Sequence, residues 1–578
     1  MNWVERFPER LSFEIADFDR RGLAFVLNER ALREERRVEL QGLIEVEGEA
    51  APVELIVRYP SGFPLFRPEV YAPKLRLPRH QNPIDFNLCL LDRSTRAWSP
   101  SETAAHLISE QVPRLIQLVR VGGDALREGE VPQGEPRSYY FPGLAGTVVL
   151  IPEELLQISA SFRSGTGRLA FSQVEPGAIL IRGLLQSASV RERRGRSRRV
   201  AEVQGPLAER FSGGRSIEID WVRIDELPDE RSEQSLLKVA EETAPGSTRP
   251  VWQQVTGGQV AVTGLLFNEE VHQGVFGDMW LFVVRVREGV GRSVREGIYR
   301  MRGERHGIDD LQARIPQLAP LRQRTVALIG LGALGAPLAL ELARSGVGEL
   351  RILDGDLVEA GTTVRWPFGI SAINAPKSDF LAQVLPREYP FTRVIPFTRH
   401  LGLVALGPEE TDHDLLTRML EGADLVIDAS AEIAVQQFVG GIADSMQIPQ
   451  LYLWATEGAR GGVVARSFPG ETGCWFCLQL GFDRATIPLP PFEETGTVQP
   501  RGCASRTFTG ASYDLTPIHA QGMRVAASLL GLGRREGEDD VFICSLEGGL
   551  SPGAPLWQAR PLAREEGCPC CGAEQAAA

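Results

Sequence analysis

The cysteines of this chain fall into unlike settings. Cys474-Trp-Phe-Cys477 and Cys568-Pro-Cys570-Cys571 are close groups some ninety residues apart. Paired thiolates at two places suit one tetrahedral zinc ion better than a redox couple. Cys474, Cys477 and Cys568 supply three ligands. Cys571 restores CxxC spacing and precedes Gly572, so it is preferred to Cys570 as the fourth. Four protein thiolates leave no open position, which predicts a structural site. Cys544, in "DDVFICS", reads as core. Cys503 lies in a polar, glycine-bearing loop between Arg501 and Arg506. Nearby cations raise the thiolate fraction, so Cys503 is a candidate nucleophile. Cys89 stands alone, after His80-Gln81-Asn82 and before Trp98-Ser99-Pro100.

A second group of residues points to nucleotide chemistry. "GLGALG" places Gly330, Gly332 and Gly335 at GxGxxG spacing directly after the apolar run "TVALI". Such glycines let a backbone turn tightly and approach phosphate at a helix N-terminus. Asp354 ends the next apolar run and suits a ribose hydroxyl pair. Arg365 and Lys377 follow. A dehydrogenase has no evident need for two cations there. An adenylating enzyme has, because charge develops on a triphosphate during attack. Lys377 is one of only three lysines, with Lys74 and Lys238, among 62 basic residues.

Three stretches must position these groups. Residues 1–125 begin with a charged segment read as helical, "IADFDRRGLAFVLNERALREERRV". The alternating runs "VELQGLIEV" and "APVELIVRYP" then predict an antiparallel meander. Ser101 is expected to cap a helix, "SETAAHLISEQVPRLIQLVR", with Pro113 inside it. Residues 126–300 alternate short apolar runs with polar turns and predict a β-rich domain of unassigned role. Its basic run "RERRGRSRR" reads as a solvated loop. Residues 301–578 alternate apolar strands with helices, which predicts a parallel, doubly wound α/β sheet. The whole is a multidomain α+β and α/β chain.

On these motifs the C-terminal domain resembles the ubiquitin-activating, MoeB/ThiF-type adenylyltransferases. The resemblance rests on Gly330, Gly332, Gly335, Asp354, Arg365, Lys377 and the two cysteine knuckles. It implies a Rossmann-like fold, ATP and magnesium as cofactors beside the zinc, and a homodimer. It also implies a thioester on Cys503, which lies between the knuckles. Ala431 stands where that family places its magnesium-binding aspartate, so Asp428 or else Glu432 must serve the metal, and Asp428 is the candidate carried forward. Arg305 lies about where the family has an arginine that reaches a partner subunit. The N-terminal domain resembles a ubiquitin-conjugating enzyme, on "YP…P…P", the HPN-like tripeptide, Cys89 and "WSP" in that order. Gln81 replaces the usual proline. That resemblance implies Cys89 as a thioester cysteine, and Asn82 as the amide that stabilises an oxyanion.

The order of the two resemblances, conjugating before activating, is similar to the fusion enzymes of bacterial CBASS antiphage operons. It implies activation of a C-terminal carboxylate on a ubiquitin-like protein or a cGAS-like nucleotidyltransferase. Transfer to target lysines would follow. Two rivals are a sulfur-carrier adenylyltransferase with an inactive conjugating-like module and an NAD-dependent oxidoreductase. A net charge of −13 argues against a general nucleic-acid binder. The longest uncharged apolar run, 325–340, is broken by glycines and a proline, so no membrane span is expected. The first twenty residues lack the apolar stretch of a signal peptide, and a cytoplasmic location is expected.

Overall fold

The computed structural model describes residues 3–77, 80–82, 84–90, 98–121, 137–171, 181–191, 197–255, 258–272, 275–289, 295–404, 410–499, 507–533, 537–546 and 553–571. The chain forms two compact units. One is Met1–Glu202 with Gly214–Arg305; the other is Val203–Gly213 with His306–Ala578.

The first unit opens on two helices, Trp3–Arg6 and Pro8–Arg20. The charged segment read as helical does not continue as one helix. Gly22 takes φ +70°, and the chain turns into strand β1, Phe25–Leu27, before a short helix Glu29–Glu34. Glycine adopts that left-handed backbone without a Cβ penalty. Strands β2 (Glu39–Ile44), β3 (Val53–Arg58) and β4 (Glu69–Tyr71) complete a four-stranded antiparallel meander with β1. Val53, Leu55 and Val57 point one way and are buried, as a period of two requires. The helix Ala104–Val121 adds Leu107, Ile108, Val112 and Ile116 to the same core. Pro113 lies inside it without ending it.

That helix is not started by Ser101. Thr103 Oγ1 accepts from the His106 amide at 3.1 Å and donates to buried Asp17. Glu14, wholly buried, accepts from the Ala104 amide at 2.9 Å and from the Tyr59 hydroxyl at 3.0 Å, and pairs with Arg10 at 2.8 Å. The Ala104 N–H is thus met by a side chain ninety residues away, and the His106 N–H by Thr103, which Asp17 holds in turn. Burial pushes the Glu14 carboxyl up, against the hydrogen bonds and Arg10.

The remainder of the unit is a sheet of nine strands. They are β5 (Thr147–Pro152), β6 (Ser164–Phe171), β7 (Ile181–Arg191), β8 (Ser197–Glu202), β9 (Ser216–Arg223), β10 (Gln253–Val255), β11 (Gly258–His272), β12 (Val275–Glu288) and β13 (Arg295–His306). The order is β10-β11-β12-β13-β5-β7-β6-β9, with β8 beside β7. Because β9 also pairs with β11, the path closes on itself. Trp221, Trp280, Phe267 and Phe282 are fully buried here. Arg223 and Asp278 form a buried two-pronged ion pair at 2.7 and 2.9 Å. Arg305 donates to the Asp278 carbonyl at 2.8 Å.

In the second unit an eight-stranded sheet runs β16-β15-β14-β17-β18-β19-β22-β23. Its strands are β14 (Thr325–Ile329), β15 (Glu349–Leu353), β16 (Arg393–Phe397), β17 (Leu425–Asp428), β18 (Gln450–Ala455), β19 (Gly461–Ser467), β22 (Val541–Ser545) and β23 (Leu556–Arg560). A separate hairpin joins β20 (Thr497–Val498) to β21 (Thr507–Phe508). The first five strands of the sheet are parallel, whereas β19, β22 and β23 run antiparallel. The sheet is therefore mixed, not purely parallel. The short turn at Glu457–Ala459 joins β18 to β19 without a crossover helix, and only an antiparallel neighbour can be reached that way. The order reverses between β14 and β17, which opens the crevice where doubly wound sheets bind ligands. Among the described residues, no helix is long and apolar enough to cross a membrane.

Candidate functional site

At the strand ends of that crevice the three glycines have separate reasons to be glycine. Gly330 follows β14 with φ +82°, and a Cβ there would lie 2.6 Å from the Ser430 backbone. A Cβ on Gly335 would collide with the Gly330 carbonyl. A Cβ on Gly332 would meet nothing within 4 Å among the described residues, so the loop leaves open space at this glycine. The helix Gly335–Arg344 starts here and aims its positive end at the opening.

Asp354, at the end of β15, is buried. One carboxylate oxygen accepts from the Leu331 amide at 2.6 Å, which ties the glycine loop to β15. The other accepts from the Asp356 amide at 2.8 Å. Lys377 Nζ lies 2.7 Å from Asp356 and 3.6 Å from Asp354. Lys377 is the first residue of the helix Lys377–Glu388 and is buried. A cation opposes the dipole at a helix N-terminus. Two carboxylates hold it there, and the arrangement presents an ammonium next to the glycine loop.

Arg365 has gone elsewhere. Its guanidinium donates to the Phe508 carbonyl at 2.5 Å and to the Thr507 hydroxyl, and lies 4.4 Å over the Phe508 ring. Burial pushes its pKa down. The structure thus joins Arg365 to β21, while Asp354, Asp356 and Lys377 form a group of their own.

Asp428 ends β17 and is almost wholly buried. Its Oδ1 accepts from the Ser430 amide at 2.9 Å and hydroxyl at 2.6 Å. Its Oδ2 has no hydrogen-bond partner among the described residues, and burial pushes the carboxyl up to about 6. A buried orphan oxygen at the crevice fits a hard divalent cation, for which oxygen is the preferred donor. Ala431 takes φ +60°, and Glu432 is exposed.

The sulfurs of Cys474, Cys477, Cys568 and Cys571 all lie within 4.8 Å of one another. A tetrahedral zinc with bonds of about 2.3 Å would set sulfur–sulfur distances near 3.8 Å. The observed separations include 3.3 Å (Cys477–Cys571), 3.5 Å (Cys474–Cys568), 3.6 Å (Cys568–Cys571) and 4.0 Å (Cys474–Cys477). Cys570 is exposed and outside the group. The Glu565 amide donates to Cys477 Sγ at 3.3 Å, an outer contact that steadies a thiolate ligand. Cys544 is buried on β22.

Cys89 is exposed, on a short ladder. Gln81 bridges Leu88; the Asn82 amide donates to the Asn87 carbonyl at 2.8 Å, and the Cys89 amide to the His80 carbonyl at 2.8 Å. Gln81 and Leu88 are buried, so alternation places Asn82 and Cys89 together on the outer face as diagonal neighbours. Asn82 Oδ1 accepts from the Ile84 amide at 2.8 Å, which fixes the side chain. Gln81 earns its place in the core through both ends: Nε2 donates to the Ala72 carbonyl and Oε1 accepts from the Leu77 amide. Beyond the loop, Trp98 donates to the Pro64 carbonyl at 2.8 Å. Cys503, with Arg501 and Arg506, lies outside the described residues, as does most of the basic run 191–199.

Two residues of the crevice escaped sequence reasoning. Asp356 was visible in "DGD" but carried no assigned role, and His400 gave no motif at all. His400 Nδ1 lies 3.7 Å from Asp356 Oδ1.

Comparison with known proteins agrees with the strand-end architecture. Residues 311–525 match the ThiF family. The chain is 29% identical over 609 residues to the protein y4oA of Sinorhizobium fredii, covering 99% of this chain and 98% of that one. It is 30% identical over 542 residues to the protein y4qC of the same organism, covering 89% and 88%. It is also 28% identical over 252 residues to the sulfur carrier protein ThiS adenylyltransferase of Escherichia coli, covering 43% of this chain and 87% of that one.

Proposed function

The chain belongs to one family with y4qC and carries a ThiF/MoeB-type adenylyltransferase domain, and on that footing we propose that it activates and conjugates the C-terminus of a partner protein. The partner's carboxylate attacks the α-phosphorus of ATP. A P–O bond forms, pyrophosphate leaves, and an acyl-adenylate remains. Cys503 then attacks the acyl carbon and AMP leaves. The Cys89 thiolate displaces Cys503 in a second exchange of sulfur for sulfur. Finally the amine of a target lysine attacks the Cys89 thioester, Asn82 donates a hydrogen bond to the oxyanion that forms, and the intermediate collapses to an amide as the C–S bond breaks and the Cys89 thiolate leaves.

The observation that carries this reading is Lys377, held by Asp354 and Asp356, with Asp354 bound in turn to the Leu331 amide of the glycine loop. Phosphate arriving there replaces a carboxylate as the partner of the ammonium. Asp354 is the ribose ligand, and the turn of Gly330 and Gly335 keeps the loop amides in place. Arg365 neutralises phosphate once released from β21. Asp428 would hold magnesium, which supplies charge neutralisation for the departing pyrophosphate. Cys474, Cys477, Cys568 and Cys571 would hold zinc, whose part is to clamp the fold.

The residue composition of the Cys89 ladder, and the order of helix, four-stranded meander, cysteine loop and helix, support a ubiquitin-conjugating-like first domain. The partner is a ubiquitin-like protein or a cGAS-like nucleotidyltransferase, and the setting is bacterial antiphage defence of the CBASS type. The adenylation domain pairs with a second copy of itself. A sulfur-carrier adenylyltransferase is the second reading, favoured by the match along most of the E. coli enzyme. It predicts no thioester on Cys89.

The test is ATP–pyrophosphate exchange in the presence of the protein encoded alongside. Lys377→Ala is expected to lower exchange about a hundredfold or more, with the fold intact by circular dichroism. Unchanged exchange in that variant would assign the chemistry to another cation.

A further inference from the structure

Two buried polar atoms of the second unit have no hydrogen-bond partner among the described residues, and they are opposites: Asp428 Oδ2 and Gln436 Nε2. An ionised carboxylate only accepts, whereas an amide nitrogen only donates. Asp428 is 1% exposed and Gln436 4%. Asp428 closes β17, and Gln436 lies in the first turn of the helix Ile433–Ser445, where its backbone amide donates to the Glu432 carbonyl at 2.9 Å.

The sheet puts the two side chains on one side. Asp428 pairs with Tyr452 across β17 and β18, and paired residues of neighbouring strands point to the same face. The Tyr452 hydroxyl reaches the helix, because a Cβ at Gly440 would lie 2.7 Å from it. Gln436 and Gly440 are four positions apart and share a helix face. Gln436 therefore lies over the sheet face that carries Asp428, one turn closer to the strand end where Asp428 stands.

The other half of the Gln436 amide is already fixed. Its Oε1 accepts from Trp475 Nε1 at 3.1 Å, with both side chains buried. Trp475 opens the helix Trp475–Asp483 directly after Cys474, inside the cysteine cluster. With its oxygen held by the indole, the amide has only its N–H groups left to give. A buried donor without an acceptor is costly, and so is a buried acceptor without a donor.

From this we infer that Gln436 is a positioning residue for the divalent cation: its N–H aims the Asp428 carboxylate, and Trp475 aims the amide. The inference rests on the assignment of Asp428 to magnesium and adds the residues that orient it. Ser430 occupies Oδ1, so Oδ2 is left for the cation, and an oxygen with two lone pairs keeps room for one N–H beside it. Outer partners of this kind change metal affinity by about ten- to a hundredfold. The cysteine cluster thereby sets the aim of a carboxylate it does not touch.

The experiment is calorimetric binding of α,β-methylene ATP to the full-length chain, with magnesium chloride and without added magnesium. The wild type should bind more tightly with magnesium, and Asp428→Asn should lose that gain. Gln436→Met keeps the length of the side chain but has no N–H. It should cut the magnesium gain about tenfold or more while leaving the magnesium-free affinity unchanged. Trp475→Phe should do the same with its zinc content intact by elemental analysis. A full magnesium gain in Gln436→Met would overturn the inference and leave the metal reading of Asp428 standing. An equal loss with and without magnesium would also overturn it, since the residue would then be merely structural. A full gain in Trp475→Phe would overturn the link to the cysteine cluster. A wild type indifferent to magnesium, or an Asp428→Asn variant that keeps the gain, would overturn both the metal reading and the inference.

Discussion

Two of the described cysteine settings differ in the exposure and company of the thiol. Cys474, Cys477, Cys568 and Cys571 sit sulfur against sulfur, three of them buried, with a backbone amide aimed at one of them. Cys89 is exposed, on a ladder whose buried side is held by Gln81 and whose outer side also carries Asn82. Mutual contact and burial make four sulfurs a binding site, because their charges require a cation between them. Exposure beside an oriented amide makes one sulfur a candidate for chemistry that starts and ends in solvent.

This contrast breaks if the variants behave alike. Cys568→Ser removes one zinc ligand, and binding of structural zinc contributes about 10 kcal/mol or more to folding in small zinc domains. The variant is expected to lose its metal by elemental analysis and to melt many degrees below the wild type. Cys89→Ala should leave both metal content and melting temperature where they were. A full complement of zinc in Cys568→Ser would mean that the four sulfurs are not one site.

Asn82→Ala sharpens the Cys89 side. Loss of one oxyanion donor costs about a hundredfold or more in rate. The variant should still accept a thioester on Cys89 but discharge it to amines about a hundred times more slowly, followed by single-turnover gel assay. Equal discharge would leave Asn82 as a turn residue only, through its bond to the Ile84 amide.

The smallest effect concerns the scaffold that carries Cys89. Glu14 has a folded-state pKa raised above its ordinary 4.5 by burial. The native state therefore holds that proton more tightly than the unfolded chain. Its contribution to stability falls as pH rises from the ordinary value through the raised one. Glu14→Gln keeps a carbonyl for the Ala104 amide and the Tyr59 hydroxyl but cannot ionise. It should flatten that part of the pH dependence of the first unit's melt, with about 1 kcal/mol or less of change near neutrality. Glu14→Ala, which strands both donors, should cost about 2–3 kcal/mol. Identical pH profiles for wild type and Glu14→Gln would show that the carboxyl is not the titrating group.

The residues also differ in how far they could be read from the chain. The alternation of "VELQGLIEV" became β2, and "MWLFVVRVR" became part of β12, because a one-faced strand writes its period into the sequence. The glycines announced the loop, since backbone that must turn or leave space admits little else. The cap on the Ala104 helix was illegible, because Glu14 and Asp17 reach it from the far end of the domain. Strands β6 and β13 carry no such clear period, because glycine and arginine interrupt their apolar residues. Arg365 was assigned to phosphate by its spacing, and its bond to β21 depends on a contact across more than 140 residues. His400 has no motif; only the close approach of Gly355 marks it.

The relay itself is tested most directly by mapping reducing-agent-sensitive adducts after incubation with ATP and the partner protein. The wild type should carry the acyl group on Cys89, and Cys89→Ala should stop with the group on Cys503. Cys503→Ala should form no thioester on either residue while still exchanging pyrophosphate, since adenylation needs only the nucleotide and the carboxylate. Normal loading of Cys89 in Cys503→Ala would contradict the account and send the acyl group directly from the adenylate to Cys89.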